Sequence, residues 1–136
     1  MSALNVGDVL GPRTIASVDP ELMKLFAEIL DDPNPIHLDP AAVRAMGLGD
    51  RVVNQGPANF GYVLAMLREA APEAAVRKLD VRLGGNVFAG DRLIAAGRVE
   101  QVEEAAGERV LACRVWLEND GGTRVLEGSA TLVVPA

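Results

Sequence analysis

From residue 78 to its end the chain alternates. Leu79, Val81 and Leu83 are interleaved with Lys78, Asp80 and Arg82, which is the period-two spacing of a strand with one buried face. The spacing recurs in "DRLIAAGRVEQVE", "RVLACRVWLEN" and "TRVLEGSATLVV", and the turn-rich stretches "GGNVFAGD", "EEAAGE" and "NDGG" separate the runs. Leu111, Cys113, Val115 and Leu117 are expected to face inward on one strand, and Leu126, Gly128, Ala130 and Leu132 on the next. Connections this short call for an antiparallel sheet. A further strand is predicted near residues 13 to 17.

The first half follows a helical period instead. "DPELMKLFAEILD" opens with Asp19 as N-cap and Pro20 at the first helical position, and it gathers Leu22, Leu25, Phe26 and Ile29 on one stripe expected to pack on the core. "DPAAVRAMG" repeats the Asp-Pro opening at Asp39 and closes on Gly47 after about two turns. The third helix, predicted from Pro57 to about Ala71, carries no charge before Arg68 and so needs cover on nearly all sides. A strongly curved antiparallel sheet around that helix would bury it. The expected fold is one α+β domain over residues 1–136, with the helices before the sheet.

Composition narrows the chemistry. A net charge of −6 and no basic face argue against nucleic acid as a partner, and no apolar run is long enough for a membrane span. The N-terminus lacks the basic-then-apolar layout of a signal peptide, so a cytoplasmic protein is expected. With one cysteine, Cys113, and one histidine, His37, no intramolecular disulfide is possible and no soft ligand set for a metal is expected. Cys113, inside an alternating run, reads as a small buried hydrophobe.

That histidine stands in "DDPNPIHLD", residues 31 to 39. Asp32 and Asn34 each precede a proline, which biases both toward extended backbone, and Pro33 and Pro35 fix their own φ. The loop is therefore stiff. Stiffness suits a catalytic segment and a plain helix terminator equally. An imidazole can accept or give a proton at neutral pH, and a carboxylate a few residues away can share a water with it.

"DPNPIHLDPAAVRAMG" resembles the Asp-x-Asn-Pro-x-His segment of the MaoC-like (R)-specific enoyl-CoA hydratase family. "VVNQGPANFGYVLAML" is similar to that family's central helix, and "LDVRLGGNVFAGDRL" to its strand, turn and Gly-Asp segment. The resemblance implies the hot-dog fold, a curved sheet around a central helix. It also implies reversible hydration of a trans-2-enoyl thioester, of CoA or a carrier protein, to the (3R)-3-hydroxyacyl thioester. In this family Asp32 and His37 would bind and activate the water, Asn34 would hold the loop, and the backbone N–H of Gly56 would polarise the thioester oxygen. No cofactor is implied beyond CoA as part of the substrate. A homodimer, or a heteromer with another hot-dog subunit, is implied as well.

Independently of the resemblance, a helix start after Gly56 offers free N–H groups to a developing enolate, although a glycine there would also serve a simple turn. Asn54, Gln55 and Asn59 would line a polar part of the pocket or cap the helix, and Ala58 and Gly61 leave room for an acyl group or for close packing. Arg77, Lys78, Arg82 and Arg92 would meet CoA phosphates or simply face solvent. Leu30 and Asp31 depart from the family, which has a small residue and then glycine before the catalytic Asp. Asp31 either perturbs Asp32 or points to solvent. Two other readings stay open: a non-catalytic acyl-CoA-binding or assembly subunit, and a hot-dog thioesterase.

Overall fold

The computed structural model describes residues 3–135. In chain order the elements are β1 (Val9–Ile15), α1 (Pro20–Ile29), a 3-10 turn (Pro35–His37), α2 (Pro40–Ala45), α3 (Gly56–Ala70), β2 (Ala75–Leu83), β3 (Leu93–Ala105), β4 (Glu108–Asn119) and β5 (Arg124–Pro135). The strands form one sheet in the order β1-β3-β4-β5-β2, every neighbouring pair antiparallel. Among the described residues no helix is long and apolar enough to cross a membrane.

Alternation sets which face is buried. Leu111, Cys113, Val115 and Leu117 on β4 and Leu126, Ala130 and Leu132 on β5 point into one core with Val63, Met66 and Leu67 of α3. Gly128 belongs to the same row, and there the backbones of β5 and β2 approach so closely that a Cβ would collide with the Asp80 carbonyl oxygen. The N-terminal strand starts earlier than the sequence pattern indicates, at Val9, because Leu10 is fully buried and pairs with Gly97 of β3.

One helix expectation holds and one is corrected. Cover on α3 is broad: Ala58, Asn59, Val63, Met66 and Leu67 are buried, Phe60, Tyr62 and Ala70 pack half-buried against the core, and Pro57, Gly61, Arg68 and Glu69 are exposed. On α1 the buried residue is Met23, and three of the four residues of the expected core stripe point outward, with Leu22 47%, Leu25 50% and Ile29 66% exposed and Phe26 half-buried. The helix is rolled so that Met23 enters the core and its carbonyl accepts a 2.8 Å hydrogen bond from Gln55 Nε2.

Candidate active site

Helix α1 delivers the polar loop through its own terminus. The Asp31 N–H donates to Glu28 O and the Asp32 N–H to Ala27 O, with Asp31 at φ +49°; together these form a Schellman ending. Glycine suits that left-handed position best, and aspartate is among the few other residues that enter it readily. The departure at Asp31 is thereby explained: its side chain is exposed and its backbone makes the turn that presents Asp32.

Side-chain turns then carry the chain onward. Asp32 Oδ1 accepts from the Asn34 N–H at 3.2 Å, and Asn34 Oδ1 accepts from the Ile36 N–H at 3.2 Å. Each bond bridges a proline that cannot donate. One turn later Asp39 Oδ1 caps α2 through the Ala41 N–H at 2.9 Å, so this carboxylate serves the next helix.

The second oxygen of Asp32 is left for chemistry. Asp32 Oδ2 lies 3.3 Å from His37 Nε2, with the imidazole 10% and the carboxylate 36% exposed. His37 Nδ1 lies 2.6 Å from the Val53 carbonyl oxygen. A carbonyl can only accept, so Nδ1 carries the proton, and in the neutral ring Nε2 is the acceptor that faces Asp32. Two acceptors facing each other are matched by a molecule with two hydrogens to give.

The segment from Val53 to Gly56 joins the parts. The Val53 N–H donates to Ile36 O, its carbonyl orients His37, the Asn54 N–H donates to Val87 O, and Gln55 Nε2 reaches α1. Gln55 is fully buried and its Oε1 has no partner among the described residues. Next comes Gly56, first residue of α3, followed by Pro57, which has no N–H. The Gly56 N–H donates to nothing among the described residues and stands at the positive end of a 15-residue helix.

His37, Gly56 and Asn59 line one cavity of about 310 Å³ with Ile36, Val53, Asn54, Leu83, Gly85, Asn86 and Val87. Asp32 lines a surface hollow with Lys24, Ala27 and Asp31, and meets the cavity through His37. Of Gln55, Ala58 and Asn59, the cavity is lined only by Asn59; Ala58 is buried and Gln55 ties helices together. Sequence reasoning missed the Val53 carbonyl, which no side-chain pattern marks, and Leu83, whose exposed end closes over Gly56. Cys113 lies apart from the cavity, and burial pushes its thiol up to about 11 with Glu100 adding to the shift, as befits an inert core residue. Among the described residues no three His, Cys, Asp or Glu side chains gather as metal ligands.

A curved antiparallel sheet over one central helix defines a hot-dog domain. Within that class the chain belongs to the MaoC-like family, whose domain model, "MaoC like domain", matches residues 3–118. It is 30% identical to a UPF0336 protein of Streptomyces avermitilis, covering 96% of this chain and 93% of that protein. It is 26% identical to the mitochondrial 3-hydroxyacyl-(acyl-carrier-protein) dehydratase of Arabidopsis thaliana, covering 97% and 78%. Its fold matches that of R-hydratase PhaJ1 from Pseudomonas aeruginosa with a TM-score of 0.79 at 25% identity, covering 97% of this chain and 83% of the other.

Proposed function

We propose that this chain reversibly hydrates a trans-2-enoyl thioester to the (3R)-3-hydroxyacyl thioester. The observation that carries the reading is the Asp32 Oδ2 to His37 Nε2 pair at 3.3 Å, its imidazole sharing a cavity with the free Gly56 N–H. A water donating one hydrogen to each member of the pair turns its oxygen lone pair outward as a nucleophile. Its oxygen bonds to the β-carbon, one of its protons passes to the pair, and the π electrons move toward the thioester oxygen. The Gly56 N–H stabilises that enolate, which then takes a proton from the pair at the α-carbon. Dehydration follows the same steps in reverse.

The relatives named hydratase and dehydratase support the reaction class, and CoA or a carrier protein supplies the thioester. Arg77 and Arg92 are paired with Glu108 and Asp120, whereas Lys78 and Arg82 make no ion pair among the described residues, which leaves these two of the four cations available to carrier phosphates. The outward stripe of Leu22, Leu25 and Ile29 supports an oligomer, with a second copy or another hot-dog subunit. Light scattering during size exclusion checks this, and a monomer at every concentration, alone and with candidate subunits, contradicts it.

A panel of enoyl-CoA thioesters followed by loss of the conjugated enoyl absorbance tests the reaction. Asp32→Ala and His37→Ala are each expected to lower the rate by about 10² or more while the thermal midpoint hardly moves. Full activity in both variants sinks the mechanism. Release of free thiol instead shows a thioesterase, and binding without turnover shows a non-catalytic subunit.

A further inference from the structure

Pockets for hydrocarbon chains are lined mostly by apolar side chains. The cavity beside His37 and Gly56 contains three amides, Asn54, Asn59 and Asn86. Asn59 is the most telling of them, because it is only 2% exposed and heads a stripe of α3 that continues as the fully buried Val63 and Met66. A leucine at this position would extend the core and give the cavity an apolar floor.

Asn59 is only half used by the protein. Its Oδ1 accepts a 2.8 Å hydrogen bond from Asn54 Nδ2, which fixes the orientation of both amides. The Asn59 Nδ2 group then has no partner among the described residues, although it is not sealed from the cavity that the residue lines. A buried donor left open is costly unless something that enters the cavity accepts from it. Water would do so in the free protein, and a substrate oxygen could replace that water.

Position and charge limit what this oxygen can be. Asn59 follows Gly56 by three residues, about 4.5 Å along the helix axis. That span matches the first few carbons beyond a thioester held at the Gly56 N–H, not the far end of a long chain. No lysine or arginine lines the cavity, and the carboxylate of Asp32 stands beside His37, so an anionic substituent is disfavoured.

We infer that the site takes a 2-enoyl thioester whose acyl group carries a neutral oxygen, a hydroxyl or keto group one or two carbons beyond the double bond, bound by the Asn59 amide. The inference rests on the hydratase reading and adds a substrate class to it. A site built to hydrogen-bond a substrate oxygen discriminates strongly against the analogue that lacks it, since the site's own polar group is then left unpaired.

The test uses the full chain and two nearly isosteric CoA thioesters: a trans-2-butenoyl group hydroxylated on its terminal carbon, and the trans-2-pentenoyl group that has a methyl in place of that hydroxyl. The wild type is expected to favour the hydroxylated substrate in kcat/KM by about tenfold or more. Asn59→Leu is expected to reverse the order by lowering kcat/KM for the hydroxylated substrate far more than for the pentenoyl one. Asn59→Ala, which adds no bulk, is expected to erase the preference if the leucine variant does not fold. Equal or better turnover of the pentenoyl thioester by the wild type overturns the inference and leaves the hydratase reading standing. A preference that persists in every folded variant overturns the role of Asn59. No turnover of either substrate overturns the inference, and the hydratase reading falls with it only when the enoyl-CoA panel is not hydrated either.

Discussion

The sheet and the segment from Asp19 to Asp39 are held by different forces. From Leu111 to Leu117 of β4 every second side chain is buried, and Leu117 faces Leu126 of β5 across the ladder with both fully inaccessible. In the segment only Met23 and His37 are buried, and order comes from a Schellman turn, two proline-bridging side-chain turns and the caps at Asp19 and Asp39. Burial is non-directional and fixes volume. Hydrogen bonds and fixed φ angles are directional, and the segment that must aim Asp32 Oδ2 and His37 Nε2 is built from them. Stability and chemistry are therefore carried by separate regions, and substitutions in one are expected to leave the other nearly intact.

The largest effect tests the sheet. Leu117→Ala removes a fully buried side chain and is expected to destabilise the fold by about 2–5 kcal/mol, read by denaturant titration, while activity per folded molecule is retained. A folded but inactive variant would break the separation. Gln55→Leu tests the link between the regions. It deletes the bond to Met23 O together with the buried, unpartnered Oε1, so stability is expected to change by no more than about 1 kcal/mol. The Met23 carbonyl lies within α1 and does not depend on Gln55 for a partner. Turnover is expected to fall about tenfold with KM little changed, because α1 then no longer holds Asp32 in register with Gly56. A large loss of stability with normal kcat would make Gln55 a packing residue only.

The smallest effect tests the turn. Asp31→Gly places the residue best suited to φ +49° at the end of α1 and is expected to raise stability by roughly 0.5–1 kcal/mol without loss of activity. Lower stability would mean that the Asp31 carboxylate makes a contribution beyond its backbone conformation. Scanning calorimetry of the variant beside the wild type resolves the sign.

The legible parts of the protein are those in which neighbours in sequence determine the outcome. Alternation in residues 79 to 132 marks the inward rows of the sheet, because side chains on a strand point to opposite faces at every step. The caps at Asp19 and Asp39 and the stiffness of "DPNP" follow from local backbone chemistry, as does the helix start at Gly56 and Pro57. Local chemistry marks His37 and a nearby carboxylate as a pair, the family resemblance selects Asp32, and neither gives their 3.3 Å approach.

Orientation and closure required the tertiary structure. The amphipathic pattern of α1 points its stripe of Leu22, Leu25 and Ile29 toward a core, yet the bond from Gln55, 32 positions away, and the burial of Met23 roll that stripe outward. The Val53 carbonyl that sets the His37 tautomer is a backbone group, and every residue has one. Asn59 reads equally as a cap or a pocket wall until Asn54 occupies one end of its amide and the cavity meets the other. Sequence periodicity records which face of an element is apolar. Which groups come within hydrogen-bonding distance depends on how the elements pack, and packing is decided by the whole chain at once.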